Sequence, residues 1–299
     1  MLHPSTGSVG HDGYGYGFLG WRPESGDGPG AGLDGEAFRF AHCLRIIPER
    51  RWAGRWQNLG MAGMLYLGTS GFAYNEWKGP FYPPTLKQKD MLQFYASRFR
   101  TVEINYTFRQ QPAEKTLSAW REATPEGFQI TLKAHQRITH WLRLANADEA
   151  VATFLDRAKM LGPRLGPILF QCPPNLPYDR SLIENFVGYL PPMYRYAFEF
   201  RHPSWIEAKD LLASQGAAWC VAETDEQPIG DGRIAAEPFA YLRLRKLEYT
   251  NEELLAWSGR VAEAIERGGD VFCYFKHEEK GAGPILAERM GALVEASLP

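Results

Sequence analysis

The sequence predicts an α/β protein in which a TIM-type (β/α)8 barrel follows a disordered or irregular N-terminal extension. Short runs rich in β-branched and aromatic residues recur from Leu65 to the end of the chain, with amphipathic stretches between them. Strand followed by helix, repeated about eight times, is typical of a (β/α)8 barrel. A doubly wound sheet usually carries G-x-G-x-x-G after its first strand, and GTSGFAYNEW (68–77) lacks that motif. We therefore predict a single barrel domain over residues 64–299.

Residues 1–63 have a different composition from the rest of the chain. Between Gly7 and Gly35 about one residue in three is glycine, and Pro23 and Pro29 interrupt the segment. Such a segment buries too little apolar surface to offset the loss of chain entropy. We interpret it as a Gly-rich extension, or as the product of a start codon assigned too early. Mass spectrometry of the native N-terminus tests the second interpretation.

Eight runs have the short, apolar and aromatic character of barrel strands. They are 65–71, 101–108, 128–135, 167–174, 195–202, 217–225, 239–245 and 270–278. Seven amphipathic stretches between or after them predict helices, at 86–98, 113–123, 148–160, 179–189, 204–214, 251–267 and 283–296. The link between strands six and seven carries Pro228 and Gly230, which argues against a helix there.

Composition limits the class of protein. The 299 residues are 44% hydrophobic and 23% charged, with a net charge of -2, which argues against a general nucleic-acid binder. No apolar run is long enough to span a membrane, and the N-terminus lacks the pattern of a secretory signal. The four cysteines are far apart without a C-x-x-C pair, which favours reduced thiols and a cytoplasmic protein. They are Cys43, Cys172, Cys220 and Cys273.

The candidate site is predicted at the C-terminal ends of the strands, where the loops of a β/α barrel build active sites. Strand residues alternate between the interior and the helices, so apolar Val102 and Ile104 direct Glu103 and Asn105 inward. The same phase directs polar and charged side chains of the other strands to the mouth, namely Thr131, Lys133, Gln171, Glu199, Arg201, Tyr241, Arg243, Tyr274 and Lys276. Near the same end, His202 lies at the rim, strand six ends in Glu223, Thr224 and Asp225, and Arg245 lies beyond strand seven.

Cations beside carboxylates suit a phosphorylated or carboxylated small molecule. We predict an enzyme of acid/base or hydrolytic chemistry, with Glu103 and Glu199 as catalytic candidates. Lys133 is a third candidate, as a base or imine-forming amine if its pKa is depressed, and otherwise as a counter-ion of a glutamate. The predicted substrate-binding residues are Asn105, Gln171, Arg201, His202, Asp225, Tyr241, Arg243, Lys276 and Trp77. The alternative for the whole set is a salt-bridge network that neutralises itself.

Two further interpretations belong to other classes. Aromatic residues of the loops over the mouth, including Trp77 and Trp141, are of the type that stacks on a base, so the chain could be a non-catalytic binder of a nucleotide or nucleic-acid end. The alternative for these aromatic residues is that they pack the loops onto the barrel. The last interpretation is a divalent-metal-dependent barrel enzyme. It is based on side chains at the strand ends whose types commonly bind metals, namely Glu199, His202, Glu223, Asp225 and His277. No compact ligand motif is present, so we predict no cofactor and no metal site. The sequence predicts no oligomeric state.

Six ordered segments resemble the domain of unknown function 72 family, also called YecE-like. They are GTSGFAYNEWKGPFYP (68–83), FRTVEINYTFRQQP (99–112), TPEGFQITLKAHQRITH (124–140), LGPILFQCPP (165–174), YAFEFRHPSW (196–205) and FAYLRLR (239–245). The resemblance implies a TIM-barrel fold and no particular reaction. Many relatives carry R-L-H-G on strand seven and F-N-N on strand eight, where this chain has RLRK (243–246) and FKH (275–277). Both departures add positive charge, which implies a subgroup with a more strongly anionic ligand.

Overall fold

The computed structural model describes residues 63–227, 234–235, 237–276 and 281–298. Eight parallel strands form one nearly closed barrel, in the order β1-β8-β7-β6-β5-β4-β3-β2. They are β1 (Leu65–Thr69), β2 (Thr101–Ile104), β3 (Gln129–Lys133), β4 (Leu165–Gln171), β5 (Tyr196–Glu199), β6 (Ala217–Glu223), β7 (Ala240–Leu244) and β8 (Val271–Phe275). The predicted TIM-type fold is confirmed.

Every stretch predicted to be helical contains a helix. These are α1 (Met91–Arg98), α2 (Glu114–Ala123), α3 (Asp148–Ala158), α4 (Arg180–Gly188), α5 (Lys209–Ser214), α6 (Asn251–Glu266) and α7 (Ala282–Ser297). Local signals fix two of the N-termini. The Asp179 side chain accepts a hydrogen bond from the Leu182 amide in α4, and Thr250 and Glu253 form a reciprocal capping box in α6.

Two predictions fall largely outside the described residues. They are the Gly-rich extension, of which the structure describes Gly63 alone, and the link around Pro228 and Gly230. Within the described ranges, no helix has the length and apolar character that crossing a membrane requires.

The barrel closes between β1 and β2 through a side chain as well as the backbone. The Tyr95 hydroxyl, from α1, accepts a hydrogen bond from the Thr69 amide at 2.7 Å and donates to the Thr101 carbonyl at 3.1 Å. A single backbone bridge joins Ser70 to Glu103. A Cβ on Gly68 would lie 2.0 Å from the Thr101 carbonyl oxygen, so the two strands approach this closely because residue 68 is glycine.

The alternation of strand residues separates two apolar cores. The larger lies between the strands and the helices, and it includes Cys172. The smaller fills the barrel interior. Its buried residues are Leu169, Ala197, Ala218, Cys220, Phe239, Tyr241, Phe272 and Tyr274. Because this smaller core fills the lower part of the barrel interior, the charged side chains lie above it, at the C-terminal ends of the strands.

Candidate functional site

Arg243 lies at the centre of the charged layer. Its guanidinium is 1% exposed and donates to Glu103 Oε1 through Nη2 at 2.8 Å. Through Nη1 it donates to Glu199 Oε2 and, at 3.2 Å, to Gln171 Oε1. Asn105 Oδ1 lies 3.5 Å from Nη2. Strands β2, β4, β5 and β7 thus deliver a cation, two carboxylates and two amides to one buried network.

Glu103 is fully buried and has further donors. Tyr241 donates its hydroxyl to Oε2 at 2.6 Å, and Ser70 donates to Oε1 at 2.8 Å. We call this buried set, with Arg243 at its centre, the floor network. Its members are Ser70, Glu103, Asn105, Gln171, Glu199, Tyr241 and Arg243.

Both carboxyl groups of the floor network are held in their ionised form. Burial alone would raise the pKa of Glu103, but Arg243 and the hydrogen bonds from Tyr241 and Ser70 outweigh it, so the pKa lies below its usual range. Burial is likewise outweighed at Glu199, where Arg243 and Arg201 lower the pKa to about 2. The floor network therefore holds two ionised carboxylates around one guanidinium, and Arg201 lies beside Glu199 as a second cation.

Lys133 ends β3 above this layer. The side chain is 9% exposed, and its ammonium lies 3.9 Å from the centre of the Phe108 ring. It makes no hydrogen bond or salt bridge to any residue that the structure describes. Burial and the neighbouring charge of Arg243 lower its pKa to about 8, and the two glutamates compensate only in part.

The loop after β3 brings His140 to the same place. Its ring packs edge-on against Phe108, with 4.9 Å between centroids, and burial together with Lys133 and Arg201 lowers its pKa. The loop begins with a π-helical turn over Arg137–Trp141. Three non-glycine residues that follow have positive φ, namely Arg143, Leu144 and Asn146. Such turns and such backbone strain are frequent at functional sites.

A second group of cations lines a cleft of about 590 Å³ at the ends of β5, β6 and β7. Arg201 extends into it from β5 and donates through Nε to Glu199 Oε1 at 3.2 Å. Half-buried Arg245 follows β7, and its pKa is lowered by burial and by Arg243. Lys133, His140 and Arg245 thus all have depressed pKa values, for which burial is the largest cause and a neighbouring cation the next.

Trp77 does not lie at the mouth. Its side chain is fully buried and packs against Tyr74, Phe81 and Tyr82, with ring centroids 4.9 to 6.1 Å apart. The interpretation of Trp77 as a ligand contact is therefore wrong, because a side chain without exposed surface cannot reach a ligand. Trp77 instead packs its loop onto the barrel, which is the alternative interpretation of these aromatic residues. Trp141, in contrast, is 65% exposed.

Three other polar residues are engaged apart from the floor network. His202 caps the 3-10 helix Pro203–Ala208 by accepting a hydrogen bond from the Ser204 amide. Asp225 is exposed and accepts from the Leu247 amide at 3.1 Å. Glu223, a residue of the metal interpretation, lies on the outer side of β6, where its Oε2 accepts a hydrogen bond from the Trp257 indole. Lys276 directly follows β8 and is half-buried.

Two residues of the site were not among the predicted substrate-binding residues. Arg245, predicted to lie beyond strand seven, is in phase with Tyr241 and Arg243, so alternation places it on the same side. Ser70 lies beyond the end of β1, where alternation no longer applies, and only its hydrogen bond to Glu103 reveals it.

The described residues offer no group of three or more His, Cys, Asp or Glu side chains placed to hold a metal ion. Glu103 and Glu199, the best candidate ligands by position, are already bound to Arg243. The donor set around them therefore does not fit a divalent cation. His277 of the metal interpretation lies outside the described residues.

A parallel eight-stranded β/α barrel with a charged layer at its strand ends defines the class of protein. The chain belongs to the family described as "Protein of unknown function DUF72", whose model matches residues 66–298. The match confirms the predicted resemblance. It covers all eight strands.

Known relatives cover the barrel to different extents. UPF0759 protein YunF of Bacillus subtilis is 29% identical over an alignment of 276 positions that covers 78% of this chain and 95% of YunF. UPF0759 protein YecE of Escherichia coli K12 is 29% identical over 143 residues, so the match spans about half the length of each chain. A DUF72 family crystal structure from Thermotoga maritima is 27% identical, with a TM-score of 0.67 over 78% of this chain and 99% of its own.

Proposed function

We propose that this barrel is an enzyme that binds an anionic small molecule at its mouth and uses Lys133 for proton transfer or imine formation. One observation carries the proposal: a buried lysine without a described hydrogen-bond partner has a pKa of about 8. Such an amine is partly neutral at neutral pH, as a base or nucleophile must be.

The floor network suits positioning better than proton transfer. A general acid or base works best with a pKa near the operating pH, whereas the pKa values of Glu103 and Glu199 are lowered. The glutamates would fix Arg243 beneath the ligand, and Asn105, Gln171 and Tyr241 would complete the support. Arg201, Arg245 and Lys276 would face the anion. The buried thiols Cys172, Cys220 and Cys273 are free, which supports a reducing, cytoplasmic location.

The first experiment identifies the ligand. Phosphorylated metabolites, carboxylic acids, nucleotides and divalent metals are screened for an increase in melting temperature. We expect anions to raise the midpoint and metals alone to leave it unchanged. If no anion raises it, the proposed anion site is wrong.

The second experiment tests Lys133 on the anion that binds. In Lys133→Met we expect turnover to fall by about a hundredfold or more, with ligand affinity within about tenfold of the original. Lys115→Met, an exposed lysine on α2, is the matched control and should keep full turnover. Equal turnover in both variants would exclude the proposed role of Lys133.

A non-catalytic nucleotide binder is the second candidate, because the exposed Trp141 indole offers a stacking surface beside His135. This candidate predicts that nucleotides give the largest stabilisation and that none is converted. Trp141→Ala would then abolish the stabilisation, whereas Lys133→Met would preserve it.

A further inference from the structure

The cleft at the ends of β5, β6 and β7 contains two arginines with unused hydrogen-bond donors. Arg201 uses Nε for Glu199, and its terminal amino groups bond to none of the residues that the structure describes. The same holds for the whole guanidinium of half-buried Arg245, whose amide alone is bonded, to the Glu223 carbonyl at 2.9 Å. The Arg201 side chain is 43% exposed and Arg245 is half-buried, so both guanidinium groups present donors to a ligand that enters the cleft.

The charge of the described cleft residues sets the charge of that ligand. Three cations line the cleft, namely Arg201, Lys209 and Arg245, and Arg243 lies directly behind Glu199. The carboxylates that line it are Glu199 and Glu226, and Glu103 is also bound to Arg243, so four cations face three anions. The remaining excess of positive charge favours an anion as the acceptor.

The shape of the donors favours a tetrahedral anion. Each guanidinium presents a planar fork that matches a pair of oxygens. A carboxylate has two oxygens and satisfies one fork, whereas a phosphate monoester has three terminal oxygens and can accept from two forks at once. It also carries a charge of about −1.5 to −2 at pH 7. A phosphodiester has two terminal oxygens, so it can satisfy only one fork and fits the pair of arginines less well.

We propose that Arg201 and Arg245 form a phosphate-monoester subsite, which makes the substrate a phosphorylated small molecule whose remaining part extends toward Lys133. This inference rests on the proposed function, and it assigns the substrate class. Lys209, whose ammonium lies 5.3 Å from the Trp219 ring centre, adds charge at the rim of the cleft.

Binding of inorganic phosphate, measured by calorimetry on the full chain at low salt, tests the subsite itself. We expect Arg245→Gln and Arg201→Gln each to weaken phosphate binding about tenfold or more. Lys246→Gln removes a charge from the residue next to Arg245, but Lys246 is paired with Glu253 outside the cleft, so binding should stay within about twofold. An equal loss in all three variants, or diethyl phosphate binding as tightly as phosphate, would overturn the monoester subsite.

Aldehyde labelling separates the subsite from the role of Lys133. Pyridoxal and pyridoxal 5′-phosphate each form an imine with an amine, with loss of water, and borohydride then reduces it to a stable secondary amine that mass spectrometry locates. We expect the phosphorylated aldehyde to label Lys133 about tenfold faster than pyridoxal does. In Arg245→Gln, the rate with the phosphorylated aldehyde should fall to that of pyridoxal, and the rate with pyridoxal should stay unchanged.

The outcomes of the labelling distinguish the two proposals. Equal labelling of Lys133 by both aldehydes overturns the subsite and leaves the reactive lysine of the proposed function standing. If neither aldehyde labels Lys133 but phosphate binding still depends on Arg245, the subsite stands and the imine-forming role of Lys133 is wrong, while the turnover of Lys133→Met decides its role in proton transfer. Failure of both measurements overturns the subsite and the imine-forming role together.

Discussion

Lys133 and Arg243 show how differently two buried cations are stabilised in one barrel. Arg243 is in contact with two carboxylates, and these raise its pKa further above the usual value. Lys133 has no described carboxylate partner, and burial together with Arg243 lowers its pKa. A buried charge is tolerated when it is paired and costs free energy when it is not. Arg243 is thus part of the scaffold, and Lys133 is a destabilised amine.

Removing Lys133 should therefore stabilise the fold. The difference between the ordinary pKa of 10.5 and about 8 corresponds to a penalty of roughly 3 kcal/mol at most. The folded pKa is depressed, so the penalty is fully present below pH 8 and disappears as the pH rises toward 10.5. We expect Lys133→Met to raise the free energy of unfolding at pH 7, measured in urea, and to gain nothing at pH 10.5. A loss of stability at pH 7 would instead identify Lys133 as the counter-ion of a glutamate.

Glu199→Gln should have the opposite effect. It leaves the buried guanidinium of Arg243 with one carboxylate, at a cost of about 3 kcal/mol. Because the folded pKa of about 2 is below the usual 4.5, this stability is present above pH 4.5 and is lost as the pH falls toward 2. The variant should therefore lose stability at pH 7 and show a flatter decline in acid. Arg180→Gln, which breaks an exposed pair with Glu184, should change stability by less than about 1 kcal/mol.

At the residue scale, alternation along a strand predicts much of the site. It directs Glu103, Gln171, Glu199 and Arg243 inward, where the structure brings them together. It also places Glu223 on the outer side of β6 with Trp219 and Val221, where its Oε2 accepts a hydrogen bond from the Trp257 indole. It does not apply in loops such as that of Trp77, because loop packing depends on contacts distant in sequence.

At the scale of elements, closure of the barrel depends on the joint between β1 and β2, where the Tyr95 hydroxyl of α1 links Thr69 to Thr101. Tyr95→Phe would leave the Thr69 amide and the Thr101 carbonyl without their shared partner inside the protein. We expect a loss of about 2 kcal/mol in the free energy of unfolding, since buried backbone groups without partners are costly. Tyr178→Phe, for which the described residues provide no hydroxyl partner, is the control and should cost far less. A cost equal to that of the control would contradict the role of Tyr95 in closure.

The order and type of the elements follow from the sequence more closely than their ends do. Strand two is predicted to run to Phe108, but the strand ends at Ile104, and Tyr106–Phe108 form a 3-10 helix. The same aromatic and β-branched residues favour both a strand and a packed loop at its end. The joint at Tyr95 could not be predicted, because it depends on a contact between a helix and two strands.

At the scale of the whole molecule, we predict that the barrel folds without the first sixty residues of the chain. The family match begins at residue 66, and the described part of the barrel forms its own cores. We expect a chain that begins at Met61 to keep its melting temperature within about 2 °C and to keep its response to phosphate. A large fall in the midpoint would show that the N-terminal residues support the barrel.

The mutual dependence of the floor-network residues bears on how proteins with this fold acquire new substrates. Its carboxylates, amides and guanidinium depend on one another, so a change in one requires a change in the others. The cations above it have fewer partners, and exchanging them costs the fold little. A chain of this design could acquire a new substrate by altering Arg201, Arg245 or Lys133 while inheriting the layer beneath them unchanged.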